Sequence, residues 1–234
     1  MLRNTQVITK PAYGSGESLD VHHIFPTIQG EGIFAGTPAV FVRLHGCNLQ
    51  CPECDTDYTS SNNQQRIEAI VQQVQEVTSP SRLVVLSGGE PLRQQIGPLV
   101  LMLVKNRFTV QIETNGTCCP PGFEDVALLP DVYVICSPKA GTINKRLHGR
   151  IDAFKYVLTA GLVSDEDGLP TRVLDHPAMP RVARPVGYSP TVYVQPADHQ
   201  DPAKNEANTR AAIDSAMRFG YTLCIQQHKI LNLE

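Results

Sequence analysis

The stretch Ala39–Cys54 reads AVFVRLHGCNLQCPEC. Its first six residues, AVFVRL, are mostly apolar and β-branched, the pattern of a strand buried on both faces in a parallel sheet. Two residues later come Cys47, Cys51 and Cys54 in C-x3-C-x2-C spacing, on a loop too short to be anything but one cluster. An apolar strand that delivers reactive side chains at its C-terminal end is the unit from which ligand-binding α/β sheets are built.

The same unit recurs along the chain. LVVL (83–86) runs into Ser87-Gly88-Gly89-Glu90-Pro91. FTVQI (108–112) runs into Glu113-Thr114-Asn115-Gly116-Thr117, and VYVIC (132–136) into Ser137-Pro138-Lys139. AFKYVL (153–158) is a further run. TVYV (191–194) leads to Gln195-Pro196-Ala197-Asp198, and LCI (223–225) to Gln226-Gln227-His228-Lys229. Helical patterns lie between several of them. Ile67, Ile70, Val71, Val74 and Val77 mark one face over 64–77, and Leu99, Met102 and Leu103 mark another over 92–106. Asp201-Pro202 and Gly220 bracket a third helix as N-cap, first-turn proline and C′ glycine. The alternation predicts an α/β fold with mostly parallel strands, curled into a partial (β/α) barrel that gathers the strand ends. We read residues 1–234 as one domain, with 1–20 an N-terminal extension. The acidic, proline-rich stretch 161–190 is read as an irregular insertion.

A formal net charge of −3 leaves no basic footprint for nucleic acid. No apolar stretch approaches the ~20 residues of a membrane span, and the polar N-terminus lacks a signal-peptide core. The expected compartment is a reducing cytoplasm, where seven cysteines read as metal ligands and small core residues rather than disulfides. Cys136 and Cys224 fall inside apolar runs and read as core. Cys118 and Cys119 have nothing nearby to complete a metal site.

Three thiolates on one loop hold three irons of a four-iron cluster and leave the fourth iron open, as catalysis requires. The competing reading is a structural zinc with His45 or a distant residue as fourth ligand. With Gly88-Gly89-Glu90 after the next strand, the pattern resembles the radical SAM superfamily. That resemblance implies a 4Fe-4S cluster whose open iron binds S-adenosylmethionine (SAM). It also implies one-electron cleavage to a 5′-deoxyadenosyl radical, with Gly88, Gly89 and Glu90 near the SAM amino group. Glu53 stands where the superfamily usually has an aromatic residue.

The finer resemblance is to the 7-carboxy-7-deazaguanine synthase family of queuosine biosynthesis. It is carried by Phe25–Gly32 (FPTIQGEG), Phe41–Leu44, Cys54-Asp55-Thr56, Glu113–Thr117, Ser137–Lys139 and Gln227–Lys229. The resemblance implies a radical ring contraction of 6-carboxy-5,6,7,8-tetrahydropterin to 7-carboxy-7-deazaguanine with loss of ammonia, dependent on Mg2+. It also implies a homodimer, with flavodoxin or ferredoxin as reductant.

By the same resemblance, Ile28, Gln29, Gly30, Glu31, Arg43, Thr114, His228 and the terminal Glu234 contact the pterin. Glu53, Cys54, Asp55, Gly116, Ser137, Pro138, Lys139, Gln195, Pro196, Ala197 and Asp198 contact SAM, and Thr56 binds Mg2+. The residues point the same way on their own chemistry. An amide and a carboxylate suit the donor and acceptor edge of a pterin. An arginine within an apolar strand calls for an anion, either a substrate carboxylate or a protein one. Gln29–Glu31 also fits a plain glycine turn, Thr56 a turn cap, and His228 a core histidine. Two other classes compete: a glycyl-radical enzyme activase, and a non-catalytic iron–sulfur or zinc module.

Overall fold

A computed structural model of the chain describes residues 4–52, 54–172 and 181–233. Nine strands form one sheet. They are β1 (Ser18–Ile28), β2 (Pro38–Leu44), β3 (Asn63–Arg66), β4 (Leu83–Gly88), β5 (Thr109–Thr114), β6 (Val132–Cys136), β7 (Ala153–Leu158), β8 (Thr191–Pro196) and β9 (Thr222–Leu223). Their order is β3-β1-β2-β4-β5-β6-β7-β8-β9. From β2 to β9 all neighbours are parallel, and only β1 runs antiparallel, to β2 and to β3.

Five helices accompany the sheet: α1 (Ile67–Val77), α2 (Gly97–Lys105), α3 (Phe123–Val126), α4 (Pro202–Phe219) and α5 (Gln227–Ile230). The main core lies between the sheet's outer face and the helices. There Val84, Leu86, Val110, Ile112, Val134, Phe154 and Tyr156 meet Ile70, Val74, Leu99, Leu103 and Ala212. Alternate strand residues point to the other, concave face. One cavity on that face is lined by residues of β2, β4, β5, β7 and β8 and by Ser137 and Lys139 just past the end of β6, and has a volume of about 600 Å³. Laid flat, those six strands would spread over about 24 Å, at ~4.8 Å per neighbour. They share one cavity because the sheet curves, as a partial barrel requires.

Two predicted helices start later than their periodicity suggests. α1 begins at Ile67 because Asn63–Arg66 pairs with Ser18–Val21 as a strand. The 92–106 pattern opens as a 3-10 turn (Pro91–Arg93), and α2 starts only at Gly97. Gln94, between them, points its amide at the backbone of Asp20. α4 has the predicted ends: the Asp201 carboxylate accepts from the amides of Ala203 (3.0 Å) and Lys204 (3.2 Å), and Gly220 takes φ +73°. β1 was hidden in the sequence by its polar residues and by a register shift between Val21 and His23. It begins inside the stretch read as an extension. The described residues of 161–190 form no helix and no strand beyond a single bridge from Val163 to Pro170.

Candidate active site

β2 ends at Leu44, and the chain turns through Gly46 into the cysteine loop. Arg93, only 2% exposed, holds that turn: its Nε and Nη2 donate to the His45 carbonyl at 3.0 and 2.7 Å. Gly88 and Gly89 let β4 press against the same turn. A Cβ on Gly89 would lie 2.4 Å from the Gly46 carbonyl oxygen and 2.5 Å from Cys47 Cβ. Gly88 has φ +135°, and its Cβ would meet the Leu44 carbonyl oxygen at 2.2 Å. The glycines are therefore required by close backbone approach.

The N-terminal segment supports the loop from outside. Asn4 N donates to the Pro52 carbonyl (3.0 Å), Asn4 Nδ2 to that of Cys51 (3.0 Å), and Thr9 N to that of Cys47 (2.7 Å). Gln6 links the carbonyl of Thr56 to the amide of Tyr58. Nothing in the composition of 4–9 signals this clamp, in which the Asn4 and Gln6 side chains and two backbone amides reach backbone groups of the loop.

Cys47, Cys51 and Cys54 all line the cavity. Burial pushes their thiols up, Cys47 to about 12. Among the described residues no three His, Cys, Asp or Glu converge on a single ion. His45, the alternative zinc ligand, has its Nδ1 2.8 Å from the Ser61 carbonyl instead. The donor set fits a cluster in which each thiolate takes a different iron.

Opposite the cysteines, the connection after β1 crosses the concave face. Lys155, third in β7, bonds the carboxylates of Glu31 and Glu113, the latter at 3.0 Å. Gln195 Nε2 donates to Glu31 Oε1 (3.1 Å) and Gln29 Nε2 to Glu113 Oε1 (3.4 Å). Burial works to raise the Glu31 carboxyl, but the Lys155 ammonium overrides it and holds the group at about 2. Burial likewise opposes the Lys155 charge, and the two carboxylates overcome it and push its pKa up.

α5 closes the other side. A Cβ on Gly30 would meet His228 Nδ1 at 2.1 Å, so the glycine makes room for this ring. Burial pulls the His228 pKa down. Arg43 lies over the Phe25 ring, 5.0 Å from its centroid, and is half-buried rather than enclosed. Lys139 bonds the carbonyl and hydroxyl oxygens of Ser137, and burial lowers its pKa.

Of the residues predicted to act, the cavity wall contains Cys47, Cys51, Cys54, Asp55, Thr56, Gly88, Gly89, Ile28, Gln29, Glu31, Arg43, Thr114, Ser137, Lys139, Gln195, Pro196, Ala197, Asp198 and His228. Gly30, Glu90, Gly116 and Pro138 stand behind it. Glu90 is fully buried and accepts from Leu92 N (2.9 Å), Thr114 Oγ1 (2.7 Å) and Asn115 N (2.7 Å). It organises the ends of β4 and β5. Gly116 keeps clear of Cys136, whose sulfur a Cβ would meet at 2.7 Å. Glu53 and Glu234 lie outside the described residues. Sequence reasoning missed Lys155, Glu113 as a site residue, and Gln226. The lysine inside AFKYVL carried the same signal as Arg43 inside AVFVRL.

The Radical SAM superfamily profile matches residues 41–178, spanning the cysteine loop and the Gly-Gly-Glu turn. The 7-carboxy-7-deazaguanine synthase of Rhodospirillum rubrum is 44% identical over 230 residues, covering 95% of this chain and 96% of that one. That of Rickettsia prowazekii is 37% identical over 94% of this chain and 91% of its own. The chain belongs to the 7-carboxy-7-deazaguanine synthase family. The Escherichia coli member is 31% identical over 91% of this chain. The crystal structure of QueE from Escherichia coli shares the fold, with a TM-score of 0.64 at 23% identity over 89% of this chain and 94% of that one. Membership in this radical SAM family implies a 4Fe-4S cluster and SAM, for which the three loop cysteines are the fitting ligands.

Proposed function

We propose that this synthase-family protein converts 6-carboxy-5,6,7,8-tetrahydropterin to 7-carboxy-7-deazaguanine with loss of ammonia. The observation that carries this reading is the single cavity. It sets the cysteine loop against Gln29, Glu31, Arg43 and His228, residues suited to a pterin edge and a carboxylate. Held by Cys47, Cys51 and Cys54, the cluster with SAM would supply the one-electron radical chemistry of the reaction.

The chain's own residues bind and orient. Cys47, Cys51 and Cys54 take three irons. The Gly88 and Gly89 carbonyls and Lys139 receive the amino and carboxylate ends of SAM, with Gln195–Asp198 and Ser137 along its remainder. Arg43 and His228 face the substrate carboxylate, while Ile28–Glu31 and Thr114 face its ring. Thr56, half-buried at the cavity edge, would offer its hydroxyl to a bound Mg2+. A homodimer and a flavodoxin- or ferredoxin-type reductant belong to the same reading. Among the described residues no helix is long and apolar enough to cross a membrane.

The test is anaerobic turnover of the reconstituted protein with SAM, dithionite, Mg2+ and carboxytetrahydropterin, followed by mass spectrometry. A deazaguanine product, absent with Cys51→Ala, establishes the activity. SAM cleavage with intact pterin overturns the substrate assignment and leaves the radical chemistry.

A further inference from the structure

Lys155 is a charged residue set in an apolar strand, Ala153-Phe154-Lys155-Tyr156-Val157-Leu158. Phe154 and Tyr156 pack into the main core. Lys155 points the other way, into the cavity wall, and is only 8% exposed. Its Nζ lies between Glu31 and Glu113, two carboxylates brought from the β1–β2 connection and from β5. Among the described residues no other lysine or arginine forms an ion pair with either. Amides of Gln29, Gln111 and Gln195 occupy further carboxylate oxygens. The neighbouring titratable groups come from every side: His228 on α5, Lys139 after β6, Cys136 on β6, Cys224 after β9, and Asp55 on the cysteine loop.

We infer that Lys155 is the positioning residue of the pterin site: it ties the Gln29–Glu31 turn to the strand wall and lets Glu31 and Glu113 face the cavity together as carboxylates. The inference rests on the assignment of this cavity to a carboxypterin and deepens it. A 2-amino-4-oxo pyrimidine edge donates from a ring N–H and an amino group, so it needs acceptors held ionised in a buried place. Two carboxylates this close cannot both stay ionised once the ammonium between them is gone; one takes up a proton and becomes a competing donor.

That consequence separates charge from packing. In Lys155→Met the folded state holds a proton that the unfolded chain releases above pH ~4.3. Its stability therefore falls as pH rises beyond that point. Wild type, with Glu31 held at about 2, has no such loss from this pair. Removing one carboxylate as well, in Lys155→Met/Glu113→Gln, removes the conflict.

The experiment compares wild type, K155M and K155M/E113Q. Thermal melts of the apoproteins from pH 5 to 8.5 should show K155M losing more stability with rising pH than wild type does, and the double variant returning to the wild-type pH profile. In the reconstituted enzymes at pH 8, K155M should raise KM for carboxytetrahydropterin ~10-fold or more while SAM affinity stays within ~2-fold. A K155M profile parallel to that of wild type with an unchanged pterin KM overturns the role, as does a double variant no better than the single one. If K155M does not fold, a folded double variant supports the charge argument, and failure of both overturns it. Wild-type turnover is measured first: its absence removes the substrate assignment and this role together. Normal wild-type turnover with an unaffected K155M removes only the role.

Discussion

Lys229 Nζ lies 2.9 Å from Asp55 Oδ2, although 174 positions separate the two residues. The same nitrogen is 3.2 Å from Asp198 Oδ2, so one ammonium joins α5 to the cysteine loop and to the end of β8. Burial disfavours the charge, but the two aspartates outweigh it and raise the Lys229 pKa. The side chains are 33%, 49% and 30% exposed, so the link contributes at most ~1 kcal/mol to global stability. Its effect should be local. Lys229→Met is expected to raise the pterin KM several-fold with little change in melting temperature. Hydrogen exchange over 226–233 should quicken in parallel, and unchanged exchange would show that α5 is held by other contacts.

Gly89 is the second point of leverage. An added methyl would strike Gly46 and Cys47, whose backbone follows on β2 as that of Gly89 follows on β4. Gly89→Ala should cost ~1–3 kcal/mol and displace Cys47. Iron and sulfide content after reconstitution, together with the visible absorbance, should fall well below wild type. Full loading would mean that the loop can yield.

Glu90 predicts a pH dependence of its own. Burial raises this carboxyl to about 7, against the donors from Asn115, Thr114 and Leu92. The unfolded chain gives up the proton near the ordinary value of 4.5, whereas the folded chain keeps it until about 7. Apoprotein stability should decline as pH rises through that window. Glu90→Gln should remove the slope and lower stability overall by ~1–3 kcal/mol, because the amide NH2 turns a donor toward groups that themselves donate. A slope that survives in the variant would have to originate elsewhere.

Asp201 serves as a control that stands outside the cavity wall, at the start of the helix that follows Asp198. Asp201→Ala deletes the cap on α4 and should cost ~1 kcal/mol. Turnover per folded molecule should match wild type; a drop in kcat would reveal coupling between α4 and the cavity.

Much of this was readable from the chain because it is local. The apolar runs ending in cysteine, Gly-Gly-Glu or Ser-Pro-Lys follow from strand chemistry, and hydrophobic spacing showed which helix faces are buried. Asp201-Pro202 and Gly220 announced the ends of α4 with their own side-chain and backbone preferences. The cysteine spacing and its companion motifs identified the family. Non-local relationships were not readable. Asn63–Arg66 forms a strand only because Ser18–Val21 offers it an edge, overriding a pattern that also suited a helix. Glu31 and Glu113 are unremarkable singly, and although Lys155 stands out in an apolar run, nothing in the chain links it to positions 31 and 113. Curvature of the sheet brings them within bonding distance, and burial then converts three ordinary charges into one coupled unit. The clamp of residues 4–9 on the cysteine loop is likewise a tertiary product. On the loop side it uses backbone donors and acceptors, which every residue possesses and no sequence pattern marks, met by the Asn4 and Gln6 side chains.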